Sequence, residues 1–99
     1  MVKHIVMFQL TQEAKDIGRD IIIDKLRLSI NNMNGKIPGL IQANLFDNNM
    51  EGSHDIALFA EFEKPDDVAV FLNHELHVIH KEMAKSYVCN RVFLDYKET

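Results

Sequence analysis

The sequence contains a single cysteine, Cys89, among its 99 residues. One thiol cannot form a disulfide within the chain, and it cannot supply a cysteine-rich metal site. Chains without disulfides are typical of reducing compartments. We therefore expect a cytoplasmic protein.

Long hydrophobic runs are also absent. No apolar stretch approaches the roughly 20 residues that a membrane-spanning helix needs, so we expect no membrane partner. Near the amino terminus, Gln9, Gln12 and Glu13 interrupt the apolar residues, and no small-residue cleavage site follows them. The sequence therefore does not predict a signal peptide.

Positive charge is in the minority. Eleven Lys and Arg residues oppose fifteen Asp and Glu residues, which gives a formal net charge of −4 at pH 7. This balance repels a phosphate backbone, and no cluster of basic residues reverses it locally. We therefore expect no nucleic acid partner. The chain is 46% hydrophobic and 26% charged, as is typical of globular proteins, and we predict one domain over residues 1–99.

Strand-like and helical segments alternate along the chain. The first helical segment begins after Thr11, is weakened at Gly18 and ends at Asn34-Gly35. Proline and two carboxylates at Pro65–Asp67 open the second helical segment, and the histidine-rich residues 74–86 continue it as a further helix. We predict strands over residues 2–10, 40–46, 54–63 and 88–96. The order β-α-β-β-α-β predicts an α+β, ferredoxin-like fold, in which helices cover one face of a four-stranded antiparallel sheet.

The predicted strands carry large apolar side chains on both faces. In the first strand, Ile5 and Met7 point away from Val6 and Phe8. The helices can cover only one face, and an exposed apolar face usually marks an interface. We therefore predict a homodimer in which the two sheets pack face to face. The alternative is a sheet that tolerates a few exposed hydrophobic side chains.

Several segments of the sequence carry a family resemblance. They are Val2–Phe8, Lys36–Leu40, His54–Leu58, Glu61–Phe62, Leu72–His74 with His77, and Asp95–Tyr96. On these segments the chain resembles the stress-responsive dimeric α/β-barrel (Dabb) domain family. The resemblance implies a ferredoxin-like monomer whose sheet joins the sheet of a second copy to form a dimeric α/β barrel.

The same resemblance implies candidate catalytic residues. In the polyketide-cyclising members of the family, similar to olivetolic acid cyclase, a histidine on the first strand and one on the late helix perform acid–base chemistry. These positions correspond to His4 and His77. The sequence departs from the pattern twice: the usual His-Pro-x-His is His74–His77 without the proline, and the cyclase tyrosine corresponds to Phe71.

The alternation of the first strand places His4 on the same side as Val2, Val6 and Phe8. If that side faces the helices, burial disfavours the charged imidazole. A neutral imidazole can accept or donate a proton near pH 7, as enolisation or an intramolecular aldol reaction requires. The alternative is a buried histidine that is hydrogen-bonded to a backbone carbonyl.

Three histidines follow one another at intervals of three residues: His74, His77 and His80. On one helix they span about 120°, so one helix face can present two imidazoles to a cavity. A metal site at His74 and His77 is an alternative, but no carboxylate or cysteine is clearly placed to complete it. We predict no metal and no cofactor, and we expect a solvated helix position for His80.

Two functions are consistent with these observations. The first is a cofactor-free lyase, cyclase or isomerase that acts on a small hydrophobic carbonyl compound, with His77 as the general base and His4 as its acidic or polarising partner. We predict a ligand pocket between the sheet and the helices that is lined by Val6, Leu58, Phe71, His74 and Phe93. The alternative is a non-catalytic, stress-associated binding or structural dimer. A heme- or oxygen-handling enzyme is a third hypothesis, based on fold analogy alone.

Overall fold

The structure of the protein is a computed structural model, and it describes residues 1–98. Its elements are β1 (Val2–Leu10), α1 (Gln12–Ile17), α2 (Arg19–Asn31), β2 (Leu40–Asp47), β3 (Ile56–Phe62), α3 (Asp66–Asn73), α4 (Glu75–Ala84) and β4 (Val88–Lys97). The predicted order of strands and helical segments is confirmed, with each helical segment divided into two helices. None of the helices in the described part of the chain has the length and apolar character that crossing a bilayer requires.

The four strands form one sheet in the order β2-β3-β1-β4, and every neighbouring pair is antiparallel. β1 and β3 are central, and β2 and β4 are the edges. The helices pack against one face of the sheet, which we call the inner face; the opposite face is the outer face. This is the predicted α+β, ferredoxin-like fold.

Gly18 divides the first helical segment. Thr11 caps α1 by accepting a hydrogen bond from the Ala14 amide at 3.2 Å. Gly18 then adopts a φ of +133° between α1 and α2, a conformation that residues with a Cβ rarely adopt. The predicted weakening at this glycine is therefore a complete break in the helix.

The apolar core lies between the inner face and the helices. Its largest fully buried side chains are Phe62, Phe71, Ile22, Leu26, Ile30 and Met33. β1 and β3 contribute alternate residues to this core, and the alternation that was predicted for β1 buries Val2, His4 and Val6. His4 is thus a polar side chain set within an apolar layer.

The outer face exposes apolar side chains. In the strand register Ile5 pairs with Leu94 and Met7 pairs with Val92, and all four point away from the helices. Leu94 is 58% exposed, and Met7 and Val92 are exposed as well. The apolar character predicted for both faces is present in the folded chain.

An irregularity in β4 lies beside the inner face. The β1–β4 register shifts between Met7 and Gln9, and Asn90, on the opposing strand, has a φ of +53°. The shift leaves an extra residue in β4, as in a β-bulge. On the Lys97 side of the bulge, regular alternation directs Arg91, Phe93 and Asp95 to the inner side of the edge strand.

Candidate active site

A cavity of about 690 Å³ lies between the inner face and the helices α2, α3 and α4. Small-molecule sites commonly have volumes of this size. It is lined by His4, Val6, Phe8, Leu26, Ile30, Leu45, Ile56, Leu58, Leu72, Asn73, His77, His80, Lys81, Ala84, Lys85, Val88 and Arg91. Of the predicted site residues, His4, His77, Val6 and Leu58 belong to this lining, whereas Phe71, His74 and Phe93 do not.

His4 is held by a carboxylate. Its side chain is 2% exposed, and Asp95 lies directly opposite it in the register of β1 and β4. Nδ1 of His4 is hydrogen-bonded to the Asp95 carboxylate. An ionised carboxylate only accepts hydrogen bonds, so Nδ1 carries the hydrogen. The partner of His4 is therefore a side chain, and not the backbone carbonyl of the alternative hypothesis.

This pair fixes the role of the other ring nitrogen. Because Nδ1 is engaged by Asp95 and His4 lines the cavity, Nε2 is the atom that can contact a ligand. A carboxylate in this position holds the imidazole in one orientation and stabilises the imidazolium when it forms. The arrangement suits proton transfer at Nε2.

His77 approaches the same cavity from α4. Its Nδ1 donates a hydrogen bond to the backbone carbonyl of Leu72 at 3.2 Å, which leaves Nε2 for a ligand. Burial lowers the pKa of His77 below its ordinary value, and the charges of Lys81, His4 and Arg91 add to this effect. The hydrogen bond that His77 donates to Leu72 acts in the opposite direction. The ring is therefore neutral near pH 7 and can accept a proton.

Phe71 packs behind the two histidines. It is completely buried, and its ring centroid lies 4.6 Å from that of His77 and 6.3 Å from that of His4. This position explains why it is absent from the cavity lining that was predicted for it. Its contribution is to support the two imidazole rings.

Phe93 and His74 also lie outside the cavity lining. Phe93 is on the uncovered edge strand and is 57% exposed. His74 is the N-cap of α4, where its Nδ1 accepts a hydrogen bond from the Leu76 amide at 3.1 Å. In an N-cap position the side chain folds back on its own helix. Across residues 1–98, no three His, Cys, Asp or Glu side chains gather in a way that would hold a metal ion.

The expectation of a solvated position for His80 is wrong. His80 lines the cavity, and its Nδ1 shares a hydrogen bond of 2.8 Å with the Ser29 hydroxyl on α2. Burial lowers its pKa to about 4, and the charge of His77 adds to the shift. The spacing of Leu76, His80 and Met83 was the available signal, since intervals of four and three residues mark one helix face.

Asp95 is a candidate site residue that the sequence alone did not predict. The pair of His4 and Asp95 was not recognised in the sequence, because the two residues are 91 positions apart. The signal was indirect: His4 and Asp95 both lie at inner-face positions of their strands. It becomes informative only when β1 and β4 are known to be neighbours in register.

Comparison with known proteins identifies the family. The model of the Stress responsive A/B Barrel Domain matches residues 2–98. The chain belongs to this family. The resemblance noted in the sequence is therefore confirmed over nearly the whole chain.

Solved structures of this fold include dimers. A dimeric protein of unknown function with a ferredoxin-like fold, from Bacteroides fragilis, is 26% identical, with a TM-score of 0.87 over 98% of this chain and 95% of that protein. A dimeric ferredoxin-like protein of unknown function from Thermobifida fusca is 16% identical, with a TM-score of 0.80 over 96% and 88%. A protein from Arabidopsis thaliana is 18% identical, with a TM-score of 0.80 over 100% and 96%. No curated protein matches the sequence.

Proposed function

We propose that this family member is a cofactor-free acid–base enzyme, a lyase, cyclase or isomerase, that acts on a small hydrophobic carbonyl compound. The observation that carries the proposal is the convergence of two imidazoles on one cavity. His4 is oriented by Asp95, and His77 has a lowered pKa. Both line a cavity whose remaining surface is largely apolar.

The proposed reaction begins with enolisation. His77 Nε2 removes a proton from the carbon beside the substrate carbonyl, while the imidazolium of His4 donates its Nε2 proton to the carbonyl oxygen. The step yields an enol, a protonated His77 and a neutral His4. The enol can then attack a second carbonyl of the same molecule, regain a proton elsewhere or expel a leaving group, and these outcomes correspond to a cyclase, an isomerase and a lyase.

The surroundings of the two histidines support this division of roles. In the proposed step, Asp95 stabilises the imidazolium form of His4, from which the proton is donated. Among residues 1–98, His77 forms no ion pair with a carboxylate, and its lowered pKa keeps the ring neutral near pH 7, as a base must be. His4 lines the cavity, and in this proposal it holds the substrate oxygen. Val6 and Leu58 line the apolar part of the cavity and favour a hydrophobic substrate.

We further propose that two copies of this single domain pack sheet against sheet. The outer face exposes Met7, Val92 and Leu94, and burying such a surface against an identical one is favourable. The similar proteins from Bacteroides fragilis and Thermobifida fusca are described as dimeric. Their description supports a dimer and leaves the packing of the sheets as our proposal.

Hydrogen exchange tests the catalytic proposal. The probe is 4-phenylbutan-2-one in D₂O, and proton NMR follows the loss of the hydrogens beside its carbonyl. We expect the native protein to accelerate exchange and His77→Gln to lower the rate by roughly 100-fold. His54→Gln is the matched control, because His54 lies outside the cavity lining and bonds to Ser53 and Asn90.

The two candidate functions give different results in this assay. Exchange that is accelerated by the native protein and by His54→Gln, but not by His77→Gln, supports the enzyme. Saturable binding of the ketone with no acceleration contradicts acid–base catalysis and favours the non-catalytic binding dimer.

A further inference from the structure

We propose that the natural ligand of the cavity carries an anionic head group on a hydrophobic body. This inference rests on the proposed function, because it names the substrate class for the same cavity. The evidence for the anionic head group is the set of charged side chains around the cavity, and not the proton transfer by His4 and His77.

The lysine and arginine side chains in the cavity lining contrast with the acidic balance of the whole chain. The whole chain has a formal net charge of −4. The lining nevertheless includes Lys81, Lys85 and Arg91 and contains no aspartate or glutamate. A concave surface of one sign concentrates ligands of the opposite sign.

Within the described part of the chain, two of these three cations have no carboxylate as an ion-pair partner. Lys85 forms an ion pair with Glu82 at 2.8 Å. Among residues 1–98, neither Lys81 nor Arg91 forms an ion pair with a carboxylate. A pair of cations that faces a cavity without protein counter-charges suits an anionic ligand.

The position of Arg91 is fixed by its neighbour. Its guanidinium carbon lies 4.4 Å from the ring centroid of Phe93, a cation–π contact that restrains the side chain on the edge strand. This contact gives a role to Phe93, which was predicted to line the pocket. A guanidinium can bind a carboxylate or a phosphate through two parallel hydrogen bonds.

The charges lie to one side of the cavity. His77, Lys81 and Lys85 follow at intervals of four residues, so they lie along one face of α4 and its carboxyl-terminal end. Lys81 and Arg91 both act on the pKa of His77, which places them near the proposed base. The wall that α2 and the central strands form includes the apolar Val6, Leu26 and Leu58. A ligand would therefore hold its anionic group near Lys81 and Arg91 and its hydrophobic body against this wall.

A matched series of ligands with a ten-carbon chain tests the inference by isothermal titration calorimetry, with all ligands below their micellar concentrations. The probes are decanoate, decyl phosphate, decan-1-ol and decyltrimethylammonium. We expect the anions to bind at least about tenfold more tightly than the alcohol, and added salt to reduce this preference. The decanoate and decyl phosphate arms distinguish a carboxylate from a phosphate head group.

Variants that remove positive charges test whether Lys81 and Arg91 cause the preference for anionic ligands. The double variant Lys81→Met with Arg91→Met should lower the anion preference to less than about threefold while leaving the affinity for decan-1-ol within about twofold. Lys81→Arg should retain the preference. Lys15→Met is the matched control, because it removes an exposed positive charge on α1, outside the cavity lining.

The failure of this inference is distinguishable from the failure of the proposed function. Equal binding of decan-1-ol and the anions overturns the anionic head group but leaves a hydrophobic site in place. A preference that persists in the double variant also overturns it, since the selectivity then arises elsewhere. Absence of binding by every probe contradicts both proposals.

Discussion

The two faces of the sheet reverse the usual distribution of side chains. The inner face, which should be apolar, holds His4 against the Asp95 carboxylate. The outer face exposes Met7, Val92 and Leu94. Buried polar groups and exposed apolar patches are the informative exceptions to ordinary burial. The buried polar pair on the inner face indicates a chemical role. The exposed apolar patch on the outer face indicates a binding partner.

The inner face can hold the polar residues His4 and Asp95 because the two side chains are hydrogen-bonded to each other. An unpaired polar group in an apolar layer is costly. Here Asp95 remains 39% exposed at the edge strand while it engages the ring of His4, so the carboxylate keeps part of its hydration. The edge position of β4 therefore lets a buried histidine have a charged partner without full desolvation of that partner.

The largest expected effect concerns packing behind the histidines. Phe71→Ala should lower the free energy of unfolding by roughly 3–5 kcal/mol, because a fully buried phenyl ring is replaced by a cavity. Phe93→Ala, at a 57% exposed position, should cost less than about 1 kcal/mol. Urea denaturation measures both variants. Equal losses would contradict the burial of Phe71 in the core and the exposure of Phe93 on the edge strand.

The next effect concerns the orientation of His4. Asp95→Asn keeps the size of the side chain but removes the negative charge, so it should reduce the hydrogen-exchange rate of 4-phenylbutan-2-one by roughly 100-fold. Binding of the ketone should change little, since Asp95 does not line the cavity. An unchanged exchange rate would remove Asp95 from the mechanism.

Local sequence patterns were sufficient to predict the fold, but they were not sufficient to predict the hydrogen-bonded pair of His4 and Asp95. The alternation of β1 predicted that His4 faces the helices, and Gly18 and Pro65 marked helix boundaries. The partner of His4 depends on which strands are neighbours and on their register, and neither follows from the residues near position 4. His80 was misassigned for a different reason: on α4 the apolar Ile79 is 57% exposed, while the polar His80 lines the cavity.

The half-buried imidazole of His80 makes the stability of the protein sensitive to acid. In the unfolded chain this ring gains a proton near pH 6.5, whereas in the folded protein its pKa is about 4. The stability contribution is therefore present above pH 6.5 and is lost as the pH falls towards 4. After allowance for partial exposure, the loss is on the order of 2 kcal/mol.

His80→Gln isolates this effect, since glutamine can still bond to Ser29 but does not titrate. The free energy of unfolding, measured by urea denaturation across this pH range, should fall less steeply in the variant than in the native protein. Identical slopes would contradict a neutral, buried His80.

The smallest expected effect concerns the outer face. Leu94→Glu places a carboxylate where the proposed sheet-to-sheet contact is apolar, and should raise the dimer dissociation constant by about tenfold or more. Leu28→Glu is the control, because Leu28 is an exposed residue of α2 on the opposite side of the sheet. Sedimentation equilibrium measures both. Loss of the dimer in the control alone would place the interface on the helices.

The convergence of His4 and His77 on one cavity is tested most directly by NMR of the imidazole nitrogens. Long-range ¹H–¹⁵N spectra of the native protein are recorded while 4-phenylbutan-2-one is added. We expect the resonances of His4 and His77 to move together and saturate at one ligand concentration, while those of His54 stay in place. Saturating shifts at only one of the two histidines, or at neither, would contradict it.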